Sequence, residues 1–297
     1  MSLSDTQIEQ FEREHRLPAE FRELADTHFA LLAHWVGLRR ETGRTLFLGI
    51  NGAQGTGKST LADFLRLTLE SAADWQVACL SIDDFYLTRT EREQLAQGIH
   101  PLLRTRGVPG THNVAMLQDC VQRLRELGTG QTLALPRFDK ARDDRAPADA
   151  WPTVTGPVDL IILEGWCVGS EPQTDAELME PVNALEQDQD PNGTWRRFIN
   201  SRLKSDYAAL FGQLDALVYL QAPDFDAVYR WRLEQERKLP AAAPAVMTDA
   251  QVAQFIQYFE RLTRADLAKL PGIADAVLEF DNAHRCTRSC YRGVRPR

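Results

Sequence analysis

Apolar residues in this chain gather in short continuous runs separated by stretches with helical spacing. That pattern belongs to strands buried on both faces and joined by amphipathic helices. The runs are Thr45–Ile50, Trp75–Ile82, Val158–Leu163, Leu217–Leu220 and Ala276–Phe280. Between them, Leu61, Phe64, Leu65 and Leu69 mark a helix over 58–71, and further helices are expected at 90–97, 113–127, 194–211, 224–238 and 249–268. At the start, Ile8, Phe11 and His15 mark one helical face and Pro18 breaks it. Phe21, Leu24, Phe29, Leu32, Trp35 and Val36 then form a second stripe, so residues 1–40 read as helices packed on the core, closed by Gly43. Strands alternating with helices predict an α/β fold: three layers, α/β/α, around a five-stranded, mostly parallel sheet. No repeat or long linker divides the chain, so 1–297 reads as a single domain.

Two polar stretches punctuated by Pro and Gly, 98–112 and 136–157, interrupt the alternation and mark 98–157 as an insertion. The acids Glu171, Asp175, Glu177, Glu180, Glu186, Asp188 and Asp190 give 170–193 the look of a solvated loop. The stretch 240–245 is flexible in composition, and Arg292–Arg297 reads as a loose basic tail. A net charge of −8 counts against a general nucleic-acid binder but leaves room for a local basic pocket. No run approaches the ~18 apolar residues of a membrane span, and the polar start Met1–Asp5 has no signal-peptide core. Five scattered cysteines fit reduced thiols and a cytoplasmic protein. Cys286 and Cys290 near His284 are too few for a metal centre.

Candidate chemistry sits at the ends of the strand runs, where ligands gather in open parallel sheets. Gly52-Ala53-Gln54-Gly55-Thr56-Gly57-Lys58-Ser59, followed by Thr60, fits the phosphate-binding loop G-x-x-x-x-G-K-[ST]. Its glycines let backbone N–H groups face phosphate oxygens, Lys58 can reach the β- and γ-phosphates, and the Ser59 hydroxyl can ligate Mg²⁺. A strand before the loop and a helix after it raise this match above chance. Asp83-Asp84 follows the second strand, and either carboxylate suits an acceptor hydroxyl that must be oriented or deprotonated. Glu164, following the third strand, suits a Mg²⁺ site. Arg230 and Arg237 share a face of the helix after the fourth strand and can meet developing phosphate charge. Arg106, His112, Arg137 and Lys140 make the insertion cationic, as an anionic small acceptor requires. A nucleotide-hydrolysing switch is the competing reading; a guanine-type N-K-x-D motif is missing, and a switch has no need of an acceptor pocket.

The stretches Gly49–Thr60, Asp83–Thr88, Arg106–His112, Pro136–Lys140 and Glu164–Trp166 occur in this order. Together they resemble the plant-type D-glycerate 3-kinases and their bacterial relatives, within the wider group of phosphoribulokinase, uridine kinase and bacterial pantothenate kinase. The resemblance covers roughly residues 45–282. It implies a phosphate-loop kinase fold, ATP with Mg²⁺, and transfer of the γ-phosphoryl to a hydroxyl of a small hydroxy-acid, the 3-hydroxyl of D-glycerate; a nucleoside, pantothenate or sugar phosphate is the alternative acceptor. On this assignment Lys58, Asp83 and Arg230 are catalytic, and Gly52, Ala53, Gln54, Gly55, Thr56, Gly57, Lys58, Ser59, Thr60 and Arg237 hold the nucleotide. Ser59 and Glu164 hold the metal, and Asp84, Tyr86, Arg106, His112, Arg137 and Lys140 line the acceptor site. Residues 224–245 are expected to form a lid. The oligomeric state is not legible.

Overall fold

The computed structural model describes residues 2–238 and 247–293. A six-stranded sheet forms its centre: β1 (Leu46–Gly52), β2 (Val77–Ser81), β3 (Leu160–Gly165), β4 (Ala216–Gln221), β5 (Ala276–Phe280) and β6 (Cys286–Tyr291). The spatial order is β6-β5-β4-β1-β3-β2, with β1 to β5 parallel and β6 antiparallel to β5. Every residue of β1 is buried, the polar Asn51 included, and the apolar run that leads up to it suits a strand covered on both faces. Helices cover both sides of the sheet.

The sixth strand corrects the expected count of five. Its sequence, Cys-Thr-Arg-Ser-Cys-Tyr, lacks an apolar run because it is an edge strand in which no residue is fully buried. The turn Asp281–Arg285 returns it onto β5, with Asp281 accepting from the backbone of Ala283 and Arg285. Among the described residues no group of three or more His, Cys, Asp and Glu stands close enough to hold a metal ion.

Several helices carry their own start signals. Ser4 and Gln7 form a capping box on α1 (Asp5–His15). Residues 21–37, with a π-helical turn at Ala25–Phe29, make α2. Phe11, Phe21 and Phe29 pack against Phe64 of α3 (Lys58–Ala73), so these N-terminal helices brace the helix that leaves the glycine-rich loop. Thr88 and Glu91 cap α4 (Arg89–Gly98), and Asn113 caps α5 (Val114–Arg125). A helix over 194–211, again with a π-helical turn (Leu203–Tyr207), forms α6. Asp224 caps α7 (Phe225–Arg237), and a Thr248–Gln251 box caps α8 (Asp249–Ile273).

The acidic stretch 170–193 departs from its expected solvation. Glu186 is fully buried and Asp190 is 1% exposed. Arg261 of α8 pairs with Glu186 at 2.6 Å, and Arg196 of α6 pairs with Asp190 at 3.2 Å. A paired and hydrogen-bonded carboxylate tolerates burial that an isolated one does not. The stretch 240–245 lies outside the described residues, as do the last four residues of the expected basic tail. Among the described residues no helix is long and apolar enough to cross a membrane.

Candidate active site

Sheet register brings three strand ends together. Glu164 of β3 lies beside Ile50 of β1 on one side and Ser81 of β2 on the other. Two residues beyond each neighbour, the chain has reached Gly52 and Asp83. Glu164 is the penultimate residue of β3 rather than the first after it, because the strand continues to Gly165.

The loop after β1 folds on itself. Gly55 (φ +81) and Gly57 (φ +91) take left-handed backbone, which only glycine adopts without penalty. The Ala53 carbonyl accepts from the Thr56 hydroxyl at 2.9 Å and from Lys58 Nζ at 3.0 Å. α3 starts at Lys58 with Gly57 as its cap, so the positive end of the helix dipole faces the loop interior. Burial lowers the Lys58 pKa, while Glu164 and Asp83 oppose that shift by favouring its charge. Ser59 Oγ donates to Glu164 Oε1 at 3.1 Å. Burial raises the Glu164 carboxyl above its ordinary range, against the pull of Lys58.

Asp83 and Asp84 occupy a 3₁₀ turn (Ile82–Phe85) after β2 and have separate tasks. Asp84 accepts from the Phe138 backbone N–H at 3.1 Å and pairs with Arg137 at 3.3 Å, which ties the 136–140 segment to this turn. Asp83 accepts from the Tyr86 hydroxyl at 2.8 Å and pairs with Lys140 at 2.7 Å. Burial pushes the Asp83 carboxyl up, but Lys140, the Tyr86 hydroxyl and His112 outweigh it and hold the carboxyl at about 2. Asp83 raises the pKa of Lys140 in return. Arg106 pairs with Asp143 and lies 5.6 Å from the Phe138 ring centroid. His112 is buried, stacked on Tyr86.

Arg230 and Arg237, expected in a lid, stand apart from this cluster. Arg230 donates to Asn282 at 2.7 Å, and Arg237 pairs with Asp249 at 2.6 Å with both side chains exposed. From the same helix it is Trp231 that reaches the loop, its Cβ standing where a side chain on Gly55 would begin.

Sequence reasoning missed three residues of this region. Arg92, only 2% exposed, donates to the carbonyls of Leu87, Arg104 and Asp143 and pairs with the Asp143 carboxylate at 2.9 Å. It therefore ties together the chain at Leu87, Arg104 and Asp143. Tyr207 bonds His112 from α6, and His284, in the β5–β6 turn, stacks on Trp231 at 4.4 Å. A buried arginine and two long-range aromatic contacts leave no local pattern in a sequence.

The donor set matches the needs of a nucleotide with magnesium. A serine hydroxyl beside one carboxylate is the sparse, all-oxygen protein contribution that Mg²⁺ takes when phosphates and water fill its remaining positions. A carboxyl whose charge burial disfavours gains from a cation beside it.

No protein-family model matches the chain. Relatives do. The uncharacterized kinase mug58 of Schizosaccharomyces pombe is 35% identical over 225 residues, which are 73% of this chain and 79% of that protein. The chloroplastic D-glycerate 3-kinase of Arabidopsis thaliana is 32% identical over 235 residues, covering 76% of this chain and about half (48%) of the plant protein. The structure of D-glycerate 3-kinase from Cryptococcus neoformans superposes with a TM-score of 0.72 at 28% identity, covering 92% of this chain and 99% of that one. The chain belongs to the D-glycerate 3-kinase family of phosphate-loop kinases and is an ATP-dependent kinase.

Proposed function

We propose that the protein transfers the γ-phosphoryl of ATP to the 3-hydroxyl of D-glycerate. The observation that carries this reading is the charge balance of the acceptor side. Four cations there stand against three acids: Lys140 on Asp83, Arg137 on Asp84, and both Arg106 and Arg92 on Asp143. The single surplus positive charge among these pairs suits a small acceptor with one negative charge better than a sugar phosphate with two.

In this reading residues 52–60 hold the phosphates, and Lys58 meets charge that develops on the transferred group. Ser59 and Glu164 would hold magnesium, which supplies neutralisation of phosphate charge when bound. Asp83 orients the acceptor hydroxyl and receives its proton, while Lys140 exchanges the Asp83 carboxylate for the acceptor's own carboxylate. Asp84 and Arg92 hold the 136–143 segment in register. Arg230 and Arg237 reach the phosphates on lid closure, exchanging Asn282 and Asp249 for oxygen anions.

ADP release measured with ATP, Mg²⁺ and separate acceptors tests this. D-Glycerate is expected to give turnover, and uridine, pantothenate and ribulose 5-phosphate are not. Preference for any of those three removes the acceptor assignment, and acceptor-independent hydrolysis removes the kinase mechanism for a switch.

A further inference from the structure

His112 carries a buried polar atom for which the site described above has no use. The residue is 4% exposed, its ring stacks on Tyr86 at 4.6 Å between centroids, and the Tyr86 hydroxyl donates to Asp83. The backbone fixes this placement. Leu87 N donates to Thr111 O, and Asn113 N donates to Phe85 O, so 111–113 runs antiparallel beside 85–87. Nδ1 of His112 lies 2.6 Å from the Tyr207 hydroxyl, whereas Nε2 is buried with no partner among the described residues.

Counting hydrogens settles the tautomer. The Tyr207 oxygen accepts from the Gly110 backbone N–H at 2.9 Å. A phenol has a single proton to donate. Given to Nδ1, that proton satisfies Tyr207 completely and leaves the ring hydrogen on Nε2. In the opposite arrangement Nδ1–H donates to Tyr207, and the phenolic proton then has no acceptor among the described residues. Nε2 would be an orphan as well, so two buried groups would go unmet instead of one. Burial also favours the neutral ring, pushing its pKa down to about 4 against the pull of Asp83.

We infer that Tyr207 locks His112 as the neutral Nε2–H tautomer, and that His112 donates this hydrogen bond to an oxygen of the acceptor. His112 is then a specificity determinant and Tyr207 its positioning residue. The inference rests on reading the Asp83 side as the acceptor half of a kinase site. A neutral donor leaves the charge balance of that half intact. It also selects for an oxygen: an acceptor presenting a methyl or ammonium group there leaves a buried donor unpaired, and sites of this kind discriminate strongly.

Long-range ¹H–¹⁵N spectra of the labelled full chain report the tautomer directly. The chain has six histidines, and comparison with His112→Gln assigns the signal. The expected result is protonation on Nε2 in the free enzyme and a shift of that resonance on adding D-glycerate. Tyr207→Phe keeps the ring and removes the hydroxyl. It is expected to raise KM for the acceptor by about 5- to 100-fold, the range for stranding or misplacing one buried donor, with KM for ATP within about twofold. Gln at position 112 places an amide N–H near the Nε2 position and Asn does not, so the Gln variant retains more acceptor affinity. An Nδ1–H tautomer, an unmoved resonance, an unchanged acceptor KM in Tyr207→Phe, or equal rises in both KM values each overturn the inference. Wild-type enzyme that phosphorylates none of the acceptors overturns the functional reading instead, which the spectra distinguish from failure of the His112 assignment alone.

Discussion

Asp266→Asn tests the claim that burial governs the charges beneath the phosphate loop. Asp266 lies on α8, 4% exposed, and accepts from the Ser170 hydroxyl at 2.6 Å. Asn51, the residue before Gly52, also hydrogen-bonds it while donating to the Val168 carbonyl at 2.8 Å. Burial pushes the Asp266 carboxyl up to about 7 from an ordinary 3.8, with the Ser170 and Asn51 hydrogen bonds opposing. A folded pKa above the unfolded one means stability fully present below the unfolded value and lost as pH rises through the folded one. The gap of about three pH units, at 1.36 kcal/mol each, corresponds to about 4 kcal/mol. Asparagine is neutral at every pH and keeps an oxygen for Ser170, but its amide group needs new partners at a cost of about 1 kcal/mol. The variant is therefore expected to equal or fall slightly below wild type at pH 4 and to exceed it by about 3 kcal/mol at pH 8. Urea unfolding followed by tryptophan fluorescence at several pH values measures this. His112 also titrates in this window, but it is common to both proteins and cancels in the difference. A stability difference constant from pH 4 to 8 would refute the reasoning.

Asp83→Asn should lower kcat by about 10²- to 10⁴-fold, the usual worth of a positioned base, while ATP affinity measured by calorimetry is retained; near-normal kcat removes Asp83 from that role. Lys140→Met removes the main cation facing Asp83 and leaves its burial, so the Asp83 pKa climbs from about 2 and the acid limb of the kcat/KM profile moves to higher pH. A limb at unchanged pH in that variant contradicts the coupling. Gly52→Ala puts a Cβ 2.6 Å from Thr56 Oγ1 and 2.9 Å from Leu220 Cβ. The strand cannot yield there, so about 1–3 kcal/mol of stability is expected to be lost in urea unfolding together with ATP affinity; a neutral substitution would show the loop has slack.

The donor half of the site was legible because its information is local. A strand, a glycine-rich turn and a helix follow one another within 46–73, and each leaves its own periodicity. Glu164 stands out as a candidate because a parallel strand buried on both faces is an apolar run with a conspicuous end. The Asp83 half of the candidate site is built differently. Asp84 and Asp83 are adjacent and chemically identical, and only the backbone N–H of Phe138, 54 residues away, makes one of them an anchor. Tyr207 meets His112 across 95 residues, and Arg92 is indistinguishable from the solvated Arg89 of the same helix until three carbonyls are seen around it. Glu186 and Asp190 look like surface acids for the same reason, since their arginines come from other elements. β6 was missed because edge strands need no apolar run.

Transfer to the 3-hydroxyl of D-glycerate is the central claim, and ³¹P NMR of enzyme, ATP, Mg²⁺ and D-glycerate tests it most directly. The account predicts that the γ-phosphate resonance is replaced, one for one with ADP, by that of 3-phosphoglycerate. Omission of glycerate should leave ATP intact. Appearance of inorganic phosphate alone, or of a 2-phosphate ester, would contradict it.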